Sequence, residues 1–93
     1  MSDVFDALAH PVRRKILRLL RRQPLSAGDI ADEFDLAKPT LSGHFAVLKS
    51  ADLVTTERRG TSIIYRLNMS VLEEAMAALM DIAGTRGGKP KEK

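Results

Sequence analysis

A run of short polar and basic side chains stands at the start of a helix-forming segment near the middle of the chain. Lys38, Thr40 and Ser42 lie within its first five residues, and Pro39 suits the first turn because it needs no N–H partner. Hydroxyl groups there can bond to base edges in a DNA major groove, and a helix N-terminus favours phosphate. An ordinary solvated helix face can carry the same residues, so this segment alone supports both interpretations about equally.

A second basic group lies at the tip of a β-hairpin that is predicted directly after this segment. The tip, residues 57–61, contains the adjacent Arg58 and Arg59, followed by Gly60 and Thr61. Such a loop can straddle a DNA backbone and reach a narrow minor groove, which attracts arginine. Two adjacent arginines by themselves indicate a solvated turn. Placed after a candidate DNA-reading helix, they favour the wing of a winged helix-turn-helix.

Residue types that serve catalysis or metal binding are scarce. The chain has no cysteine, which excludes disulfides, thiolate metal sites and thiol redox chemistry. Its two histidines, His10 and His44, lie in separate segments, and a zinc site needs more nitrogen or sulfur ligands than these. No nucleophile with a matched base and no phosphate-binding loop is recognisable. We therefore expect no enzymatic activity, no metal and no other cofactor.

Hydrophobic periodicity predicts the elements that must position the polar residues. The expected helices are residues 3–9, 11–22, 26–34, 38–51 and 70–83. The expected strands are residues 53–56 and 62–67, which form the hairpin. About three residues join the third and fourth helices, as a helix-turn-helix requires. The predicted fold is therefore mainly α with a small β-hairpin, in the order α1-α2-α3-α4-β-β-α5.

Residues that commonly begin or end helices support these boundaries. Ser2 is the expected cap of the first helix, and Ser26 is expected to open the third helix in a capping-box pattern. Ser70 and Glu73 form the capping-box pattern of the last helix. Gly84 is the expected stop of that helix.

Length and charge are those of one small domain. Of the 93 residues, 1–83 contain eleven basic and eleven acidic side chains, while 84–93 contain four basic and one acidic. We expect a DNA-binding and dimerisation domain over 1–83, with a thin core that a second copy completes, and a disordered basic tail over 84–93. No apolar stretch approaches a bilayer span, and the acidic N-terminus is unlike a signal peptide. We therefore expect a cytoplasmic protein with no membrane insertion.

Three segments together resemble a known family. FDALAHPVRRKIL at 5–17 is followed by LAKPTLSGHFAVLKSADLV at 36–54 and by the basic hairpin at 59–67. In this order they resemble the opening signature, recognition helix and wing of the ArsR family of winged-helix regulators, most closely its short, cysteine-free autorepressors. The resemblance covers nearly all of 3–83. It implies a homodimer paired through the first and last helices that represses at an inverted-repeat operator in double-stranded DNA.

The chain departs from the family pattern at several positions. Ala37 stands where the family often has a capping serine, Gly43 where it often has a long residue such as arginine, and Asp52 where it often has glycine. Ser26 and Gly28 occupy the positions of the Cys-x-Cys pair of metal-sensing relatives. We therefore expect a repressor that responds to no metal, and the bases it reads stay open.

The expected site residues follow from these segments and the resemblance. Those expected to contact DNA are Lys38, Pro39, Thr40, Ser42, Gly43, His44, Lys49, Arg58, Arg59, Thr61, Arg13 and Arg14, with Arg13, Arg14 and Lys49 the weaker phosphate candidates. Those expected at the dimer interface are Val4, Phe5, Leu8, Leu72, Met76, Leu79 and Met80. A dimer would set the half-sites about 10 bp apart. The alternative function is a protein-interaction module, in which a partner docks on the acidic helix 26–34 and releases the repressor from DNA.

Overall fold

The computed structural model describes residues 3–84, which form five helices and a three-stranded antiparallel sheet. The elements are α1 (Val4–Leu8), α2 (Pro11–Arg22), β1 (Leu25–Ser26), α3 (Ala27–Ala31), α4 (Lys38–Ser50), β2 (Val54–Arg59), β3 (Ser62–Leu67) and α5 (Met69–Ala83). The predicted class and element order are confirmed, and β1 is an additional strand. Apart from Gly84, the expected tail lies outside the described residues. Within 3–84, every helix is too short or too polar to cross a lipid bilayer.

The helix α2 begins and ends where the sequence predicts. His10 is extended before it, and its Nδ1 atom accepts a hydrogen bond of 3.1 Å from the backbone N–H of Val12. Pro11 occupies the first turn, where its missing N–H costs nothing. The helix ends at Gln23, which is extended before Pro24 because the residue before a proline avoids the helical region. Its buried side chains, at helical spacing, are Ile16, Leu17 and Leu20.

The helix α3 is shorter than the predicted 26–34. Ser26 caps it as predicted, since its Oγ accepts from the backbone N–H of Asp29 at 3.0 Å. The next residues close tighter turns, because the N–H groups of Glu33 and Phe34 each bond to the carbonyl three positions earlier. The connection to α4 therefore covers residues 32–37 rather than the three expected.

The sheet has the order β1-β3-β2, with β3 in the middle. β1 was not predicted, because a two-residue strand has no periodicity of its own and exists only through its pairing, Leu25 opposite Tyr65. β2 extends to Arg59, three residues past the predicted end, since Arg59 pairs with Ser62. The turn is therefore the two residues Gly60 and Thr61, and Gly60 adopts the expected positive φ of 59°.

The helix α5 begins differently from the prediction. Its cap position is Asn68 rather than Ser70, so the predicted capping box with Glu73 is wrong. The Asn68 side chain does not cap the helix, because its Nδ2 donates to the backbone oxygen of Asp52 at 3.0 Å. Asp52 has a φ of 61°, the left-handed conformation that favours glycine. Gly84 ends the helix in the same region of φ, as expected.

The core lies between the helical layer and the sheet. Its four largest fully buried side chains each contribute about 1.5–3 kcal/mol by leaving water: Ile16, Ile30, Leu48 and Leu53. Phe45 on α4 stacks on Tyr65 of β3 with ring centroids 4.6 Å apart, which joins the helix to the sheet. Burial also raises the pKa of the Tyr65 hydroxyl. In α5, Ala75 is the buried residue, so most of that helix stands outside the core.

Candidate nucleic-acid interface

The helix α4 presents a buried apolar face along its length and an exposed polar face in its N-terminal half. Leu41, Phe45 and Leu48 are buried, while Thr40, Ser42 and Gly43 are exposed. The sequence predicts this division, because the buried residues recur at helical spacing. A Cβ atom added at Gly43 would meet nothing within 4 Å, so the backbone there faces open space. A groove edge could therefore approach the helix closely at this point.

The first turn of α4 leaves its backbone donors available. Ala37 is at the cap position and makes no side-chain cap bond, as its lack of a hydroxyl predicts. The first N–H groups of an α-helix have no partner within the helix, and Pro39 contributes none. With the exposed Lys38 ammonium beside them, the N–H groups of Lys38 and Thr40 can meet a phosphate at the partly positive end of the helix.

The wing is the β2–β3 hairpin, and its tip carries Arg58, Arg59 and Thr61, all exposed. Side chains alternate along a strand, so Arg58 and Arg59 leave the ribbon on opposite faces. Arg58 shares a face with the cross-strand neighbour Ile63, whereas Arg59 shares one with Glu57. The two arginines therefore cannot grip the same phosphate from the same side.

Glu57 holds two arginines of the wing. Its carboxylate accepts a 3.1 Å bond from Arg59 Nε and another of 3.1 Å from Arg66 Nη2. The hydrogen bonds from Arg59 and then Arg66 keep the pKa of the Glu57 carboxyl below its usual value. Glu57 and Arg66 were not among the predicted site residues. Side chains two residues apart on a strand share a face, which places Glu57 beside Arg59. The predicted strand ended at residue 56, so this rule did not indicate the contact.

Arg13 and His44 lie together and are less exposed than the other candidates. Of the twelve predicted DNA contacts, these two are half-buried and ten are exposed. Arg13 Nη1 lies 3.0 Å from His44 Nδ1, and the same guanidinium donates to the backbone oxygens of Asp6 and Ala7. The His10 ring lies 4.5 Å from the His44 ring, centroid to centroid. The fold thus brings together two histidines that the sequence places in separate segments.

The remaining phosphate candidates lie away from the start of α4. Arg14 donates to the backbone oxygen of Leu8 at 2.8 Å and lines a cavity of about 220 Å³ together with Leu8 and Leu72. It therefore lies beside residues expected at the dimer interface. Lys49 is in the last turn of α4, roughly 16 Å along the helix axis from Lys38.

The residues expected at the dimer interface form an apolar surface on α1 and α5. Phe5 is 41% exposed, Met76 50%, Leu79 51% and Met80 43%, while Val4, Leu8 and Leu72 are half-buried. Leu8 and Leu72 line the same cavity, whose other lining residues are mostly on α2. Such exposure of large apolar side chains marks an interaction surface more often than a solvated one.

Metal-binding groups are not assembled in the described part of the chain. Among residues 3–84, no three His, Cys, Asp or Glu side chains lie close enough to hold an ion. The His10 and His44 rings face each other, and His44 also faces a cation, Arg13, rather than a carboxylate. Ser26 uses its hydroxyl to cap α3.

Known proteins match the chain over most of its length. A helix-turn-helix domain family matches residues 8–57. The transcriptional repressor SdpR of Bacillus subtilis (strain 168) is 43% identical over 76 residues, which cover 82% of this chain and 84% of that protein. A solved ArsR family transcriptional regulator superposes with a TM-score of 0.72 at 27% identity, covering 88% of this chain and 93% of that one. A solved structure described as a possible transcriptional regulator for arsenical resistance gives a TM-score of 0.79 at 30% identity, covering 90% and 86%.

Proposed function

The chain belongs to the ArsR family of helix-turn-helix transcriptional repressors, and from that premise we propose that it is a homodimeric repressor that binds an inverted-repeat operator without a metal. Its relatives are DNA-binding regulators rather than enzymes. The observation that carries the proposal is the exposed polar face in the N-terminal half of α4, opposite the apolar face that packs into the core. The tip of the wing adds exposed basic residues.

In the proposed complex, α4 enters the major groove. Thr40 and Ser42 bond to base edges, because hydroxyl groups can both donate and accept, and Lys38 with the first N–H groups of the helix meets a phosphate. Gly43 allows the backbone to approach the groove, because no side chain stands there. Arg13 and His44 are not part of this contact set, because the donors of Arg13 are engaged within the protein.

The wing supplies contacts that do not depend on the base sequence. Arg59 and Arg58 project from opposite faces of the ribbon, so one can meet the backbone while the other reaches along the minor groove. The Glu57 carboxylate and a DNA phosphate compete for the Arg59 guanidinium, because both groups are anions. Glu57 must therefore release Arg59 or share it when the wing binds DNA. The carboxylate therefore tempers phosphate binding by the wing.

The proposed dimer pairs the apolar surfaces of α1 and α5. Leu72, Met76, Leu79 and Met80 recur at i, i+4, i+7 and i+8 along α5, so they form one stripe. A single copy would leave Met76, Leu79 and Met80 of this stripe about half exposed. Pairing two copies about a two-fold axis would cover them and present two α4 helices to successive major grooves.

Independence from metals is part of the proposal, and it is supported by the donor set of this chain. The chain contains no cysteine, and the positions of the family's Cys-x-Cys pair hold Ser26 and Gly28. Control by concentration, in which the repressor acts on its own gene in the cytoplasm, then needs no ligand site. The likeness to SdpR supports this mode of action but concerns that protein rather than this one.

A second candidate is release from DNA by a protein partner. Asp29, Asp32 and Glu33 line a surface depression of about 430 Å³ between α2 and α3. Three carboxylates against one cation, Arg22, leave the rim acidic on balance, which suits a basic peptide segment of another protein. The test adds candidate partners to the preformed DNA complex, and failure of each to displace DNA would contradict this mode of control.

The experiment that tests the DNA-binding proposal compares two classes of variant on two duplexes. An operator selected from a random duplex pool and a scrambled duplex of the same composition are titrated by fluorescence anisotropy. Arg59→Ala is expected to weaken binding to both duplexes, whereas Thr40→Ala and Ser42→Ala are expected to weaken operator binding alone. Equal losses on both duplexes for all three variants would refute the assigned roles.

A further inference from the structure

The contact between Arg13 and His44 joins three helices. Arg13 Nε donates to the backbone oxygen of Ala7 at 2.8 Å and Nη2 donates to that of Asp6 at 3.0 Å, which fixes the guanidinium against α1. Its Nη1 lies 3.0 Å from Nδ1 of His44, in the middle of α4. The guanidinium on α2 thereby ties the DNA-facing helix to α1.

This contact requires the neutral form of the His44 ring. A guanidinium is always protonated in proteins and can only donate, so Nδ1 of His44 must offer a lone pair. A proton on Nδ1 would remove that acceptor and place a second cation against Arg13. The bond therefore exists with one protonation state of His44 and is lost with the other.

The groups around His44 oppose its protonation. The residues at the start of α2 face it with the His10 ring and the Arg13 guanidinium. α1 faces the cluster with the backbone oxygens of Asp6 and Ala7, and Asp6 is the one titratable residue of that helix. Burial, then His10 and Arg13, lower the pKa of His44 from its ordinary 6.5.

We propose that Arg13 and His44 position α4 for DNA rather than contact DNA, as a brace that holds only while the His44 ring is neutral. The inference rests on the proposed DNA-binding function. It replaces the expectation that His44 and Arg13 contact DNA. The protein then loses operator affinity on acidification, although a protein that gains positive charge ordinarily binds DNA more tightly.

The direction follows from the lowered pKa of His44. The neutral His44 ring stabilises the braced state fully above its unfolded-state pKa of about 6.5. This stabilisation is lost as the pH falls through the lower pKa of the folded state. At about pH 5.5, a pKa no higher than 6.5 leaves at most about ten protonated rings for each neutral one. The expected fall in operator affinity between about pH 7.5 and 5.5 is therefore at most about tenfold.

The test measures operator affinity of the whole protein across this pH range at constant ionic strength. His44→Asn keeps an acceptor near the position of Nδ1 but cannot titrate, so it should bind like the parent at about pH 7.5 and show no fall at 5.5. His10→Asn is the matched control, because asparagine also caps helices and this variant should retain the fall. Circular dichroism at each pH shows that the protein stays folded.

A direct titration of the His44 ring by NMR requires no variant. In the complex with operator, the pKa of His44 should be lower than in the free protein, because binding selects the braced, neutral form. A pKa that rises on binding, or affinity that rises or stays constant as the pH falls, would overturn the brace. A fall that His44→Asn retains, or that His10→Asn abolishes, would also overturn it. Absence of operator preference at every pH would instead refute the proposed DNA-binding function.

Discussion

Replacing Gly43 with alanine should stabilise the fold while weakening operator binding. Glycine in a helix interior is less favourable than alanine by about 0.8–1 kcal/mol, because its backbone loses more freedom on folding. The added Cβ would meet nothing within 4 Å, so no steric cost offsets this gain. The expected increase in unfolding free energy is therefore about 0.8–1 kcal/mol per chain, or about 4–8 °C in melting temperature for a domain of this size.

Urea unfolding at one fixed protein concentration measures this gain, because the stability of a dimer depends on concentration. Gly28→Ala is the control, since Gly28 also lies in a helix and a Cβ there would make only an ordinary contact of 3.8 Å with Ser26 Oγ. It should leave operator affinity unchanged.

For Gly43→Ala, the methyl group would occupy the space that base edges take in the proposed complex. Operator affinity should therefore fall while affinity for a scrambled duplex is retained. Unchanged or lower stability would refute the helix argument. A stability gain with unchanged operator affinity would refute the placement of Gly43 in the groove.

Three further outcomes are expected. Leu79→Glu should give a monomer in sedimentation and greatly weaken operator binding, because its charge would lie in the apolar stripe of α5. Ala78→Glu is the control and should stay dimeric, because residue 78 lies on the opposite side of the helix from the stripe. Glu57→Gln should raise affinity for both operator and scrambled duplexes and steepen its salt dependence, because Arg59 is released for phosphate. Leu48→Ala should lower the unfolding free energy by about 2–5 kcal/mol in urea titrations, because Leu48 is fully buried.

Each of these outcomes has a contrary result. A dimeric Leu79→Glu protein would place the interface elsewhere. Weaker binding by Glu57→Gln would mean that the carboxylate orients the wing arginines for DNA instead of competing for them. A loss below about 1 kcal/mol for Leu48→Ala would mean that the core contracts around the missing side chain.

Helices with strong periodicity and clear stop residues could be predicted from the sequence. α2 agrees with the prediction at both ends because His10-Pro11 and Gln23-Pro24 restrict the local backbone. The cap of α5 could not be predicted, because Asn68 is fixed by its bond to Asp52, sixteen residues away. The strand β1 likewise exists only through its pairing with β3. Local patterns carry no information on such long-range contacts.

The exposed part of the site was predictable because helical periodicity separates buried from exposed residues. Thr40 and Ser42 lie off the apolar stripe of α4, and the structure leaves both exposed. The contact between Arg13 and His44 spans 31 residues and joins different helices, so no local spacing indicates it. Residue type, and for His44 its place off the apolar stripe of α4, suggested DNA contact, because arginine and histidine bind nucleic acids as readily as they bond within a protein.

The most direct test of the account maps the DNA-contacting surface in solution. Amide NMR spectra of the labelled protein are recorded as the selected operator is added. The largest shifts are expected at Lys38–Gly43 of α4 and at Arg58–Thr61 of the wing tip, with smaller changes along α5. Shifts confined to α5 or to the acidic surface of α3, with the start of α4 unchanged, would contradict the central claim that α4 and the wing bind DNA.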